Sequence, residues 1–125
     1  MFIRLLLLSL IVFSCGTARQ VETRLYFGQL KRDGGTVSEK EWNEFVEKYV
    51  GRVFPEGNTI ENATGNWFDT SSRKLITEPS KVVVSINRRS RNLDRQIDSL
   101  CHWYKLLYDQ QSVLRVDRKV KAALR

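Results

Sequence analysis

One histidine and two cysteines stand among 125 residues, and that scarcity removes whole classes of chemistry. His102 beside Cys101 does not make a metal site, because structural zinc takes about four protein ligands and catalytic zinc about three. The pair also lacks the second cysteine of a CxxCH haem attachment. No GxSxG, Walker or dinucleotide-fold glycine pattern occurs. No apolar run reaches the roughly 18 residues of a permanent membrane span, and no internal repeat or low-complexity block is visible. The expectation is a chain without metal or cofactor, in which Cys101 takes a place in the core because it falls on the apolar spacing of a helix.

What is present begins at the amino end. MFIRLLLLSLIVFSCG carries one positive residue, Arg4, then an apolar run and small residues, the layout of a secretory signal. Val12-Phe13-Ser14-Cys15 resembles the lipobox of bacterial lipoproteins. That resemblance implies cleavage before Cys15 and acylation of its thiol, so residues 1–14 are expected to be a lipoprotein signal peptide and residues 15–21 a tether. Gly16 follows the cysteine, without the aspartate that resembles an inner-membrane retention signal, so the expected location is the cell envelope, lipid-anchored, at the outer membrane. Residues 22–125 then form a single domain, long enough for one core.

Without residues 1–14 the charge is 20 Lys and Arg against 14 Asp and Glu. This excess is spread along the chain. In an exported protein it favours acidic envelope partners and not nucleic acid.

Thr23–Gly28 is rich in β-branched and aromatic residues and stops at a glycine, the pattern of a strand. Ser38-Glu39-Lys40-Glu41 is a capping box. Behind it Trp42, Phe45, Val46, Tyr49, Val50 and Val53 mark one apolar helix face, ending near Pro55. Asn58–Asp69 reads as an extended segment in which Gly65 suggests a bulge or a close approach. A turn at Thr70–Arg73 leads to a strand that Pro79 interrupts and Lys81–Ile86 completes. Leu93, Ile97, Leu100, Cys101, Tyr104 and Tyr108 recur at helical spacing, and Gln111–Asp117 is the last strand. The order strand, helix, strand, strand, helix, strand predicts an α+β, ferredoxin-like βαββαβ sandwich. Its four-stranded antiparallel sheet has the order 4-1-3-2, and both helices lie on one face.

That arrangement leaves the other sheet face open. Taking the uniformly apolar parity of each strand as the core side places Leu25 and Phe27, then Val82, Val84 and Ile86, then Leu114 and Val116 beneath the helices. Arg24, Tyr26, Lys81 and Arg115 then share the open face. Three readings of such a face stay open: a partly solvated ion network, a contact with a twin subunit, or a pocket in which the cations hold a carboxylate or phosphate against Tyr26 or Trp67. RNA-recognition domains use the same strand order but stack bases on aromatics of strands one and three. Strand three here carries none, so no nucleic acid is expected.

TRLYFG at Thr23, the Trp42 helix, FPEG at Phe54, Gly65 with Trp67, EPSK at Glu78 and QSVLRVD at Gln111 together resemble the bacterial family catalogued as domain of unknown function 3574. The resemblance spans about Glu22 to Val120 and brings no activity. It does share the polar positions Arg24, Glu78, Lys81, Gln111 and Arg115. The candidate ligand-binding set is therefore Arg24, Tyr26, Trp67, Glu78, Lys81, Gln111 and Arg115. Two functions fit. One is a non-enzymatic binding or interaction module that uses the open face for self-association, as a homodimer, or for an anionic small molecule. The alternative is a small enzyme of the dimeric α/β-barrel type acting on an anionic substrate, with Tyr26 or Glu78 as acid or base.

Overall fold

The computed structural model describes residues 19–125; the expected signal peptide, Cys15 and most of the tether lie outside the described residues. Strand β1 (Gln20–Gly28) is followed by a helical rod made of α1 (Glu39–Phe45), a π-helical turn (Val46–Val50) and α2 (Gly51–Val53). The β2–β3 hairpin (Thr59–Asp69 and Lys74–Arg88), helix α3 (Arg91–Tyr108) and β4 (Leu114–Val120) complete the chain. The strands form one antiparallel sheet in the order β2-β3-β1-β4, which is the expected order counted from the other edge. β1 already includes Gln20 and Val21, two residues that the sequence assigns to the tether.

Local chemistry accounts for the boundaries. The Ser38 hydroxyl accepts from the Glu41 N–H at 3.1 Å while the Glu41 carboxylate accepts from the Ser38 N–H at 2.8 Å, which closes the capping box and starts α1. Ser90 caps α3 by accepting from the Leu93 N–H, and Asp109 ends the helix in the left-handed region at φ 51°. In the hairpin turn the Asp69 carboxylate accepts from the N–H groups of Ser71 and Ser72. Pro79 does not interrupt β3 as expected. Its carbonyl accepts from the Gln29 N–H, just past the end of β1, so its missing N–H falls on that side and removes no bond to β2.

One core lies between the sheet and the helices. Leu25 and Phe27 meet Trp42, Phe45 and Val50 from the first rod and Ile97, Leu100, Tyr104 and Tyr108 from α3. Phe27, Trp42, Phe45 and Tyr104 form an aromatic nest with ring centroids 4.7–6.1 Å apart. The Tyr104 hydroxyl receives the Gln29 side-chain N–H at 2.8 Å and donates to the Gly28 carbonyl at 2.8 Å, so this polar tip inside the nest is satisfied. Cys101 packs at the margin of this core, and burial, then the Asp98 carboxylate, pushes its thiol up to about 11.

The face assignment holds for β1 and fails for β3 and β4. Leu25 lies opposite Val83 and Arg115, and Thr23 lies opposite Ser85 and Asp117. Directly paired residues share a face, so Val83, Ser85, Arg115 and Asp117 are on the helix side. Val82, Val84, Ile86, Leu114 and Val116 are on the open side, paired in register with Glu22, Arg24 and Tyr26. Val82 is still buried, whereas Leu114 is 59% exposed. Lys81, opposite Phe27, also faces the helices.

Candidate functional site

At the Gly28 end of the sheet the open face holds a cavity of about 700 Å³. Its floor is backbone. Gly28 pairs with Ser80 and Gly65 pairs with Glu78, so two side-chain-free positions lie beside two polar ones. A Cβ on Gly28 would stand 2.9 Å from the Glu78 carboxylate, and one on Gly65 would stand 3.1 Å from the Ser80 hydroxyl. Gly65 therefore marks a close approach and not a bulge, since β2 and β3 pair without a break in register. Tyr26, Trp67, Ile76 and Leu114 supply the apolar wall. Trp67 is 47% exposed.

Two loops form the rim, Leu30–Arg32 after β1 and Asp109–Ser112 before β4. The buried side chain of Gln110 ties them together by donating to the Leu30 carbonyl at 2.8 Å and to the Tyr108 carbonyl at 3.1 Å. Glu78 accepts from the Leu30 N–H at 3.1 Å, which fixes its carboxylate beneath the rim.

Charge in the cavity is unevenly compensated. Lys31 is paired with Glu41 at 3.0 Å and Arg32 with Asp109 at 3.4 Å, whereas Glu78 forms no ion pair among the described residues. The Glu78 carboxylate is free to accept from a donor or to pair with a cation, and Trp67 and Tyr26 offer flat apolar surface in the same cavity.

Of the seven residues expected to form a site, the structure brings together Tyr26, Trp67, Glu78 and Gln111 at this cavity. The three cations lie elsewhere. Arg24 is on the open face but is held by Glu22 at 3.0 Å and Glu61 at 3.4 Å. Lys81 is on the helix side, bonded to Glu39 at 2.7 Å and to the Asn62 side chain at 2.9 Å. Arg115 is also on the helix side, where it bridges Asp94 of α3 and Asp117 of its own strand. The Arg115 hydrogen bond holds Asp94 below the usual aspartate range. The cations chosen to receive an anion are thus already matched by internal carboxylates.

Gly28, Ser80 and Gln110 were not among the expected site residues. Gly28 had a signal in the sequence: it closes the β1 run and, in the expected strand order, lies beside the strand that carries Glu78 and Ser80. Gln110 carried none, because its role depends on where the loop after α3 meets the loop after β1.

The fold is shared with solved structures. A phage SAM lyase in complex with S-methyl-5'-thioadenosine superposes with a TM-score of 0.65 at 15% sequence identity, over 82% of each chain. A phage SAM lyase in its apo state gives 0.62 at 15% identity, again over 82% of each chain. The chain matches no curated protein. A family model described as a protein of unknown function, DUF3574, matches residues 22–124, and the chain belongs to that family.

Proposed function

We propose that this domain is an envelope-anchored binding module, held to the membrane by lipid on Cys15, whose open-face cavity takes a small molecule with a flat apolar body and a cationic or donor group. The observation that supports this most is the ion-pair-free Glu78 carboxylate, fixed by the Leu30 N–H beside two glycines and beneath Trp67 and Tyr26. A ligand there would exchange water for a charge-assisted hydrogen bond at Glu78 and for ring contact at Trp67. The anionic ligand suggested by the sequence fits less well, because Arg24, Lys81 and Arg115 are paired internally.

A second reading, a small enzyme, has one observation in its favour. The same cavity combines a carboxylate with an aromatic wall, and a protein of like fold is a lyase whose complex contains an adenosine thioether. In that reading Glu78 is the proton acceptor or donor.

Both readings are tested by titrating the chain with flat organic cations and with S-methyl-5'-thioadenosine while following tryptophan fluorescence. Glu78→Gln is expected to weaken binding by about tenfold or more, as when a charged hydrogen bond is lost, and Trp67→Phe to remove most of the signal. Product formation that Glu78→Gln abolishes would favour the enzyme. Binding that neither substitution alters would sink the cavity as the site.

A further inference from the structure

The two ends of the sheet differ in charge, and the amino end carries a second cavity. The register places Gln20 opposite Arg88 on one side and Val120 on the other. The start of β1 and the ends of β3 and β4 therefore meet, and Arg19, Arg88, Arg89, Arg118, Lys119 and Lys121 gather there. A cavity of about 440 Å³ at this end is lined by Arg19, Val21, Arg89, Asp117, Arg118 and Lys119.

The carboxylates of this end are Glu22, Asp94 and Asp117, and arginines already hold all three. Glu22 accepts from Arg24 and Arg118, Asp94 from Arg115 with Arg89 at 3.5 Å, and Asp117 from Arg115 and the Thr23 hydroxyl. Arg19, Arg88, Lys119 and Lys121 form no ion pair among the described residues. The remaining positive charge thus sits on side chains with no internal partner, at the end where the chain emerges from residue 18.

We infer that this basic end docks on an anionic lipid surface, with headgroup phosphates received by the unpaired Arg19, Arg88, Lys119 and Lys121. The inference rests on the proposed anchor at Cys15, four residues before Arg19, which sets this end of the domain against the bilayer. An acyl anchor and a basic patch reinforce each other in membrane binding, and each Lys or Arg near an anionic surface adds about fivefold to the partition.

Docking also fixes an orientation. β1 has nine residues, so the Glu78 cavity at its far end stands about 30 Å from the lipid surface. The cavity then lies at the end of the domain remote from the bilayer.

The test uses the full chain isolated from bacterial membranes and placed in vesicles of phosphatidylcholine, with or without phosphatidylglycerol, followed by amide hydrogen exchange. Phosphatidylglycerol is expected to slow exchange in residues 86–91 and 117–122 and to leave residues 28–32 and 109–112 unchanged. Salt at about 0.5 M is expected to erase the difference, since it shortens the screening length to a few ångströms. Arg19→Gln with Lys119→Gln, both exposed and outside any ion pair, should lower the docked-to-free ratio by roughly 25-fold.

Equal exchange on neutral and anionic vesicles would overturn the inference. So would the same protection from inorganic phosphate on neutral vesicles, which would assign the site to a free anion. Failure of the anchor shows separately, as a Cys15 without acyl mass and a chain that does not float with neutral vesicles. Recruitment by phosphatidylglycerol alone would then still support docking.

Discussion

The two faces of this sheet solve opposite problems with similar residues. On the helix side, large side chains are closed in: Phe27, Phe45 and Tyr104 pack ring against ring, and their one polar tip is bonded on both sides. On the open side, Val84 and Ile86 of β3 and Leu114 and Val116 of β4 form a broken apolar row, divided by Glu22 and Arg24 of β1 and partly covered over β3 by the Arg24–Glu61 pair, and it leads to a cavity built on glycines. The difference teaches that hydrophobicity alone does not tell which face of a strand is the core. A face kept free for a ligand or partner can be as apolar as one buried in folding.

The largest expected effect tests the closed side. Phe45→Ala removes a fully buried ring that touches five other aromatics, and it should cost about 3–5 kcal/mol in denaturant unfolding. A loss under about 1 kcal/mol would mean that the nest is not the centre of stability and that the two faces differ less than their packing indicates.

How much of this was legible in the sequence follows from where the signals lay. The capping box at Ser38, the apolar spacings of Trp42 to Val53 and Leu93 to Tyr108, and the strand order are local or topological properties, and the fold realises them. Strand parity is not local when both parities carry valine. In Val82-Val83-Val84 either choice looks apolar, and the register with β1 chose Val83. In β4 the apolar parity is the open one, while Arg115 and Asp117 face α3. One signal did exist: Asp94 and Asp98 lie one turn apart beside inward-facing Ile97, so the edge strand next to α3 needed a cation, and Arg115 supplies it. Four of the seven expected site residues meet at the cavity because Tyr26, Trp67, Glu78 and Gln111 sit at one end of the sheet. Lys81 and Arg115 were placed by the mistaken parity, whereas Arg24, rightly placed on the open face, is held there by Glu22 and Glu61.

A middle-sized effect belongs to that Arg115 seam, which is on the closed side yet partly solvated. Arg115→Ala should cost about 1 kcal/mol at neutral pH, as for partly exposed ion networks, with oligomeric state unchanged. The pH dependence has a definite sign. The Arg115 hydrogen bond depresses the folded pKa of Asp94, so the stabilisation is present above the unfolded aspartate value and is lost as pH falls through the folded one. The gap between wild type and variant should therefore shrink below about pH 4. A gap that stays constant down to about pH 2 would show that Arg115 contributes by packing and not through Asp94.

The smallest effect on folding is expected on the open side, and it bears most directly on what that face is for. Val116 is 42% exposed and lies outside the cavity lining, so Val116→Asp should change the stability of the isolated domain by about 0.5 kcal/mol or less. Glu22 and Arg24 divide the apolar row and Glu61 and Arg118 lie beside it, so both signs of charge are present, as a self-complementary two-fold contact requires. If a second copy covers the row, wild type should sediment as a concentration-dependent dimer and Val116→Asp as a monomer, because the contact would bury an unpaired carboxylate. Monomers in both cases would leave the Glu78 cavity as the working part of this face. A loss of stability above about 2 kcal/mol in a monomeric Val116→Asp would instead mean that the row is packed like the helix side, which would break the distinction between the two faces.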